Sequence, residues 1–225
     1  MTQPQHHIPE ELLVEYTVGA LDEAVSLFVA THLSFCAQCR DHRREFEVIG
    51  GAVLEEAPLP DADAGLDLDA GLEALLGRLD EAPETPRAAT PIRDERLARI
   101  PEPLRSYVPV DARGRIAWAV RMPGIGQIKL PLTHKGYGVV INVLNGGLSV
   151  PKHTHDGMEY NLVLTGGFTD RDHDFVRGDA SVAGPDLVHE LSIHRGEPCM
   201  LLAVMEKPLV PMSAVAKVLS RLLPV

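Results

Sequence analysis

Residues 31–39 read THLSFCAQC and place His32, Cys36 and Cys39 in the spacing His-x3-Cys-x2-Cys. An imidazole one helical turn before a thiol, with a second thiol three positions on, brings three soft ligands toward one point. Zinc takes thiolate and imidazole in a tetrahedron, so these residues supply three corners. The fourth falls to His6 or His7, and spacing alone admits either. A closed set of two cysteines and two histidines leaves no open position for substrate, so such a site is structural.

Helical patterns surround this segment. Pro9, Glu10 and Glu11 make a helix start, Leu12, Leu13 and Tyr16 form its apolar face, and Gly19 ends it. Asp22 caps a second helix whose Val25, Phe28 and Val29 lead up to His32. A third helix runs from about Cys39, with Phe46, Ile49 and Val53 along one side. After a loop at 57–65, Leu68, Leu72, Leu75, Leu76 and Leu79 form the stripe of a fourth helix over 66–79. That stripe either packs on the other helices or grips a partner. Four short helices make a small core, so a metal would contribute to its folding. Residues 1–82 are therefore read as a zinc-stabilised helical domain, and the prolines at 83, 86, 91, 101 and 103 mark an extended linker over 83–103.

From 104 to 225 the apolar period becomes 2. Residues 116–120, 125–132, 137–144, 159–164 and 200–204 are strand-like, separated by turns such as Asn145-Gly146-Gly147 and Thr165-Gly166-Gly167. Closely spaced strands with glycine turns predict a β-barrel or sandwich, with a closing helix at 213–223. His153 and His155, two apart, share one face of a strand. Glu159 follows after a turn, and His189 can approach from an adjacent strand. Three imidazoles and one carboxylate form a divalent-metal site. His42, His134, His173 and His194 have no partner at a telling spacing, and Cys199, in CMLLAV, reads as a small buried hydrophobe. Helices and strands are expected to have separate cores.

The net charge of −11 is uneven. Residues 1–90 carry 18 acidic and 5 basic side chains, a balance of −13, whereas 91–225 carry 14 acidic and 16 basic. An acidic third repels a phosphate backbone, which argues against direct nucleic-acid binding, and attracts a basic protein surface. There is no run long and apolar enough for a membrane span and no signal-peptide pattern at the start. Three cysteines, two in metal-like spacing, fit a reducing cytoplasm.

His7, His32, Cys36 and Cys39, set between a short and a longer helix, resemble the zinc-binding anti-sigma domain over about residues 4–80. That likeness implies His7, the second of the His-His pair, as the fourth ligand. Gly147, His153, His155, Glu159 and Gly166 meet every fixed position of the first cupin motif, G-x5-H-x-H-x3-E-x6-G. Gly178 and His189 keep the separation of the second motif, which departs from the family pattern at Gly184-Pro185-Asp186 and at Ile193. This similarity implies a jelly-roll barrel with a metal on His153, His155, Glu159 and His189. Cupin enzymes hold iron, manganese or nickel at such sites; zinc is the expectation here. The order of parts resembles ChrR-type anti-sigma factors. That resemblance implies an extracytoplasmic-function sigma factor as partner, released in response to singlet oxygen or organic peroxides. The alternative is a cupin dioxygenase or decarboxylase with the helices as a dimerisation arm.

Overall fold

The computed structural model describes residues 3–58, 67–79, 94–132 and 136–212. His134, residues 82–93 of the proline-rich segment and the expected closing helix at 213–223 lie outside these, as does most of the loop at 57–65.

Helix α1 spans Glu10–Thr17, with Pro9 before its first turn, and Gly19 turns the chain out of it at φ +70°. Helix α2, Glu23–Leu33, is capped by the Asp22 carboxylate, which accepts from the Ala24 N–H at 3.0 Å. Val25, Phe28, Val29 and His32 are all fully or almost fully buried, as their spacing predicts. Helix α3 covers Ala37–Glu56 and α4 covers Leu68–Leu79. Phe46 packs against the core, but Ile49 and Val53 face solvent at 60% and 65% exposure, together with Val48 and Leu54. Leu72, Leu75, Leu76 and Leu79 of α4 are also exposed, so these four positions of the stripe are not buried against the other helices.

The last residues of the segment read as linker are folded. A 3-10 turn, Leu97–Arg99, and helix α5, Glu102–Arg105, bury Leu97, Ile100 and Leu104 against the same core as α2. Three apolar residues at spacings of three and four outweigh the extending effect of Pro101 and Pro103, which sit where a helix start accommodates them.

The strands are β1 (Val120–Met122), β2 (Ile125–Lys129), β3 (Gly138–Leu144), β4 (Ser149–Thr154), β5 (Glu159–Thr165), β6 (Gly167–Asp170), β7 (His173–Val176), β8 (Ala180–Ala183), β9 (His189–Ile193), β10 (Cys199–Met205) and β11 (Val210–Pro211). They form two antiparallel sheets in the orders β1-β2-β3-β10-β5-β8 and β11-β4-β9-β6-β7, a sandwich as expected. Residues 116–119 make only scattered backbone pairs, and the Trp118 ring lies against Gly126, where a Cβ would stand 2.4 Å from it.

Side chains alternate along β5 and β10. Val163, Cys199 and Leu201 pack inside the sandwich, whereas Tyr160, Leu162, Leu164, Met200, Leu202 and Val204 face outward. Helix α2 covers that outer face, with the Phe28 ring 5.5 Å from that of Tyr160. Helices and sheet thus share one continuous apolar cluster rather than the two separate cores expected. The reason is that the outer face of β5 and β10 is wholly apolar, so it needs a cover.

Phe28→Ala should destabilise the protein by about 3–5 kcal/mol. Helical and strand signals in circular dichroism should still melt together, at a lower temperature. A separate helical transition, with the strands melting as before, would refute the shared core.

Candidate metal centres

Among the described residues two clusters of side chains could hold an ion, each with its candidate ligand atoms within 4.8 Å of one another. In the first, His32 ends α2 and Cys36 caps α3, its sulfur accepting from the Cys39 N–H at 3.4 Å. His32 Nε2 lies 3.3 Å from the Cys39 sulfur, and His7 Nδ1 lies 3.2 Å and 3.5 Å from the two sulfurs of Cys36 and Cys39. His6 turns away: its Nε2 meets the Asp174 carbonyl at 3.1 Å and its ring packs on Phe175. Of the two N-terminal histidines the structure therefore brings only His7 to the cluster.

The donor chemistry fits a soft cation. Burial lowers His32 to about 4, so its imidazole is neutral and keeps a lone pair for a metal. Its Nδ1–H donates to the Gly178 carbonyl at 2.9 Å, which leaves that lone pair on Nε2, the atom facing the sulfurs. Burial, and then the neighbouring Cys36, raise Cys39 to about 12. A thiolate there needs a positive charge beside it.

The second cluster lies inside the sandwich. His153 on β4 stands opposite His189 on β9, His155 follows β4, and Glu159 opens β5. His155 Nε2 and His189 Nε2 are 3.0 Å apart, and the Glu159 carboxylate oxygen is 3.5 Å from the first and 3.8 Å from the second. Each outer nitrogen of His153 and His189 is already engaged: Nδ1 of His153 donates to the Pro151 carbonyl at 2.8 Å, and Nδ1 of His189 to the Asp170 carboxylate at 2.8 Å. Their Nε2 atoms are thus free for a metal, the support expected around ligating histidines. Burial, then His153 and His189, lower His155 to about 4. Burial raises Glu159 to about 7, against a hydrogen bond from Asn161 at 2.7 Å. Buried lone pairs and a carboxylate crowded together fit a shared cation.

The eight candidates fall into two groups of four, with His7, which the resemblance and not the spacing implied, in the first. The supporting residues were not read from sequence. Asp170 shares a face of β6 with Phe168, but nothing in its spacing relates it to His189, nineteen residues on. His173 and His194 join neither group: His194 pairs with Asp174 at 3.2 Å. Cys199 is fully buried, and burial raises it to about 12, in keeping with a packing role.

No protein-family model matches the chain. It is 36% identical over 210 residues to the anti-sigma-E factor ChrR of Cereibacter sphaeroides, an alignment covering 91% of each chain. The chain belongs to the ChrR family of anti-sigma factors. The crystal structure of Rhodobacter sphaeroides SigE in complex with the anti-sigma ChrR superposes with a TM-score of 0.70 at 32% identity, covering 90% of this chain and 99% of that one. A protein of unknown function with a cupin-like fold from Ralstonia eutropha is matched over 44% of this chain, at 15% identity and a TM-score of 0.38. ChrR proteins are regulatory rather than catalytic, so the enzyme alternative is set aside. No helix among the described residues is long and apolar enough to cross a membrane.

In this ChrR-family chain, Asp170→Ala should lower affinity at the second cluster by about 10–100-fold. Competition with a chelator during equilibrium dialysis measures it. Unchanged affinity would mean that Asp170 does not support His189.

Proposed function

We propose that this protein holds an extracytoplasmic-function sigma factor inactive through its helices, and releases it in response to singlet oxygen or organic peroxide through the cluster in the sandwich. The observation that supports this most directly is the unpaired apolar surface on α3 and α4. Val48, Ile49, Val53 and Leu54, with Leu72, Leu75, Leu76 and Leu79, are all at least half exposed. Exposed apolar residues on this scale mark a partner-binding surface. The homologous ChrR is found in complex with SigE, which gives the class of partner. The acidic first ninety residues favour a partner with a basic face. A sigma factor works on polymerase in the cytoplasm, and the protein would act there.

The first cluster would hold zinc on His7, His32, Cys36 and Cys39, a closed set suited to a structural role. Zinc, when bound, cross-links the strap before α1 to the α2–α3 junction. The second would hold a divalent ion, taken as zinc, on His153, His155, Glu159 and His189. These four residues lie on or beside β4, β5 and β9, not on α3 or α4. A change there alters partner affinity only if it favours one arrangement of the protein over another.

Co-purification from the source cell tests the reading: recovery of a sigma factor supports it, and its consistent absence counts against it. The double substitution Leu75→Glu and Leu76→Glu, at exposed positions, should leave melting unchanged. It should weaken sigma binding by at least about 30-fold, equivalent to about 2 kcal/mol. Retained affinity would exclude α4 from the interface. His155→Ala or Glu159→Ala should still hold the sigma factor yet fail to release it in a sigma-dependent reporter exposed to an organic peroxide. Normal release, despite demonstrated loss of metal, would show that the second cluster is not the switch.

A further inference from the structure

The turn between β7 and β8 belongs to the sandwich, yet its contacts converge on the first cluster. Asp179 is fully buried. Its Oδ1 accepts from the Gln5 N–H at 2.6 Å and the His6 N–H at 3.0 Å, while Oδ2 accepts from the Val176 N–H at 2.8 Å. The Ala180 N–H donates to the His6 carbonyl at 3.0 Å. The residue immediately before His7 is therefore held at both its N–H and its C=O by the sandwich. The Gly178 carbonyl takes the Nδ1–H of His32 at 2.9 Å and so sets which way that ring points.

The close approach is specific to this turn. Gly178 has φ +94°, and a Cβ there would stand 2.9 Å from Pro4 and 3.0 Å from Phe35, the neighbour of Cys36. Arg177 places its guanidinium 4.8 Å over the Phe35 ring. A glycine that matches the second cupin motif thus serves the other cluster.

We infer that the β7–β8 turn is the outer support of the N-terminal cluster, with Asp179 as the positioning residue for His7 and the Gly178 carbonyl as that for His32. This rests on the reading of the first cluster as a metal site. His7 is carried by a strap rather than a helix, so its imidazole holds its place only as well as the backbone of residues 5–6 does. Without the Asp179 carboxylate, three N–H groups lose their acceptor. His7 then becomes the ligand that leaves first.

The test uses the full chain loaded with cobalt(II). Only the first cluster contains sulfur, so thiolate-to-cobalt charge-transfer absorption reports that site alone. Cobalt release to excess chelator is followed at this band for the parent, Asp179→Asn and Asp179→Ala. Cobalt remaining on the second cluster is followed by total metal content. Asp179→Ala should release cobalt from the first cluster about 10–100-fold faster, with the second cluster unaffected. Asp179→Asn should fall between, because its amide oxygen still accepts from the strap. Parental release rates in both variants would overturn the inference, as would equal acceleration at both clusters, which would mark Asp179 as a support of the whole fold. If Asp179→Ala does not fold, Asp179→Asn decides, and a parental rate there overturns it. A parent chain that shows no charge-transfer band refutes the metal reading itself and this inference with it.

Discussion

The contact between α2 and the outer face of β5 and β10 determines how the rest of the molecule is put together. That face presents Tyr160, Leu162, Leu164, Met200, Leu202 and Val204, and all of them are buried. A sheet face this apolar cannot remain bare, since each fully exposed side chain of this size costs about 1.5–3 kcal/mol of lost burial. Helix α2 covers it, and the turn of α5 closes over α2 in the same cluster. The helices are thus a third layer on the sandwich. Release of a partner by simple separation of helices from sheet would expose this surface, so small rearrangements at the joint are the cheaper route.

Much of this was legible in the residues. Helix starts at Pro9 and Asp22, the breaks at glycine and the buried face of α2 follow from local rules that the fold does not override. Seven of the eight candidate ligands were readable because metal coordination demands particular side chains at particular spacings; the choice of His7 over His6 rested on the family resemblance. The short strands β6 to β9 were harder. Their inward positions carry Asp170 and His189 beside the apolar Phe168 and Phe175, so the alternation of apolar and polar residues that marks a strand is broken where the chemistry sits. The shared core was hidden for another reason. Runs such as CMLLAV report that a strand is buried on both faces, but not what covers the second one. The proline-rich stretch before it suggested independence, whereas Leu97, Ile100 and Leu104 anchor its end.

The hairpin of β6 and β7 joins the two ligand groups in one piece of chain. Asp170, at the end of β6, holds His189 of the second group at 2.8 Å. Val176, at the end of β7, donates to the Asp179 carboxylate that grips the strap before His7. Four ladder pairs, from Gly167↔Val176 to Asp170↔His173, lie between. A shift at one end is carried by backbone hydrogen bonds rather than by loose side chains. The inward positions of this hairpin are therefore constrained from both sides.

The first cluster also stands at the root of α3. Cys36 is its cap and Cys39 lies in its first turn, while the exposed Val48, Ile49, Val53 and Leu54 lie in its second half. The helix is 20 residues long, or about 30 Å at a rise of 1.5 Å per residue. A tilt of about 10° at the root therefore moves the far end by about 5 Å, roughly one helical turn. That is enough to take apolar residues out of register with a partner while the buried contacts of α2 stay in place. On the proposed reading, geometry at the cluster would therefore set where the far end of α3 lies, and the turn that contacts His6 and His32 is where the sandwich would bear on it.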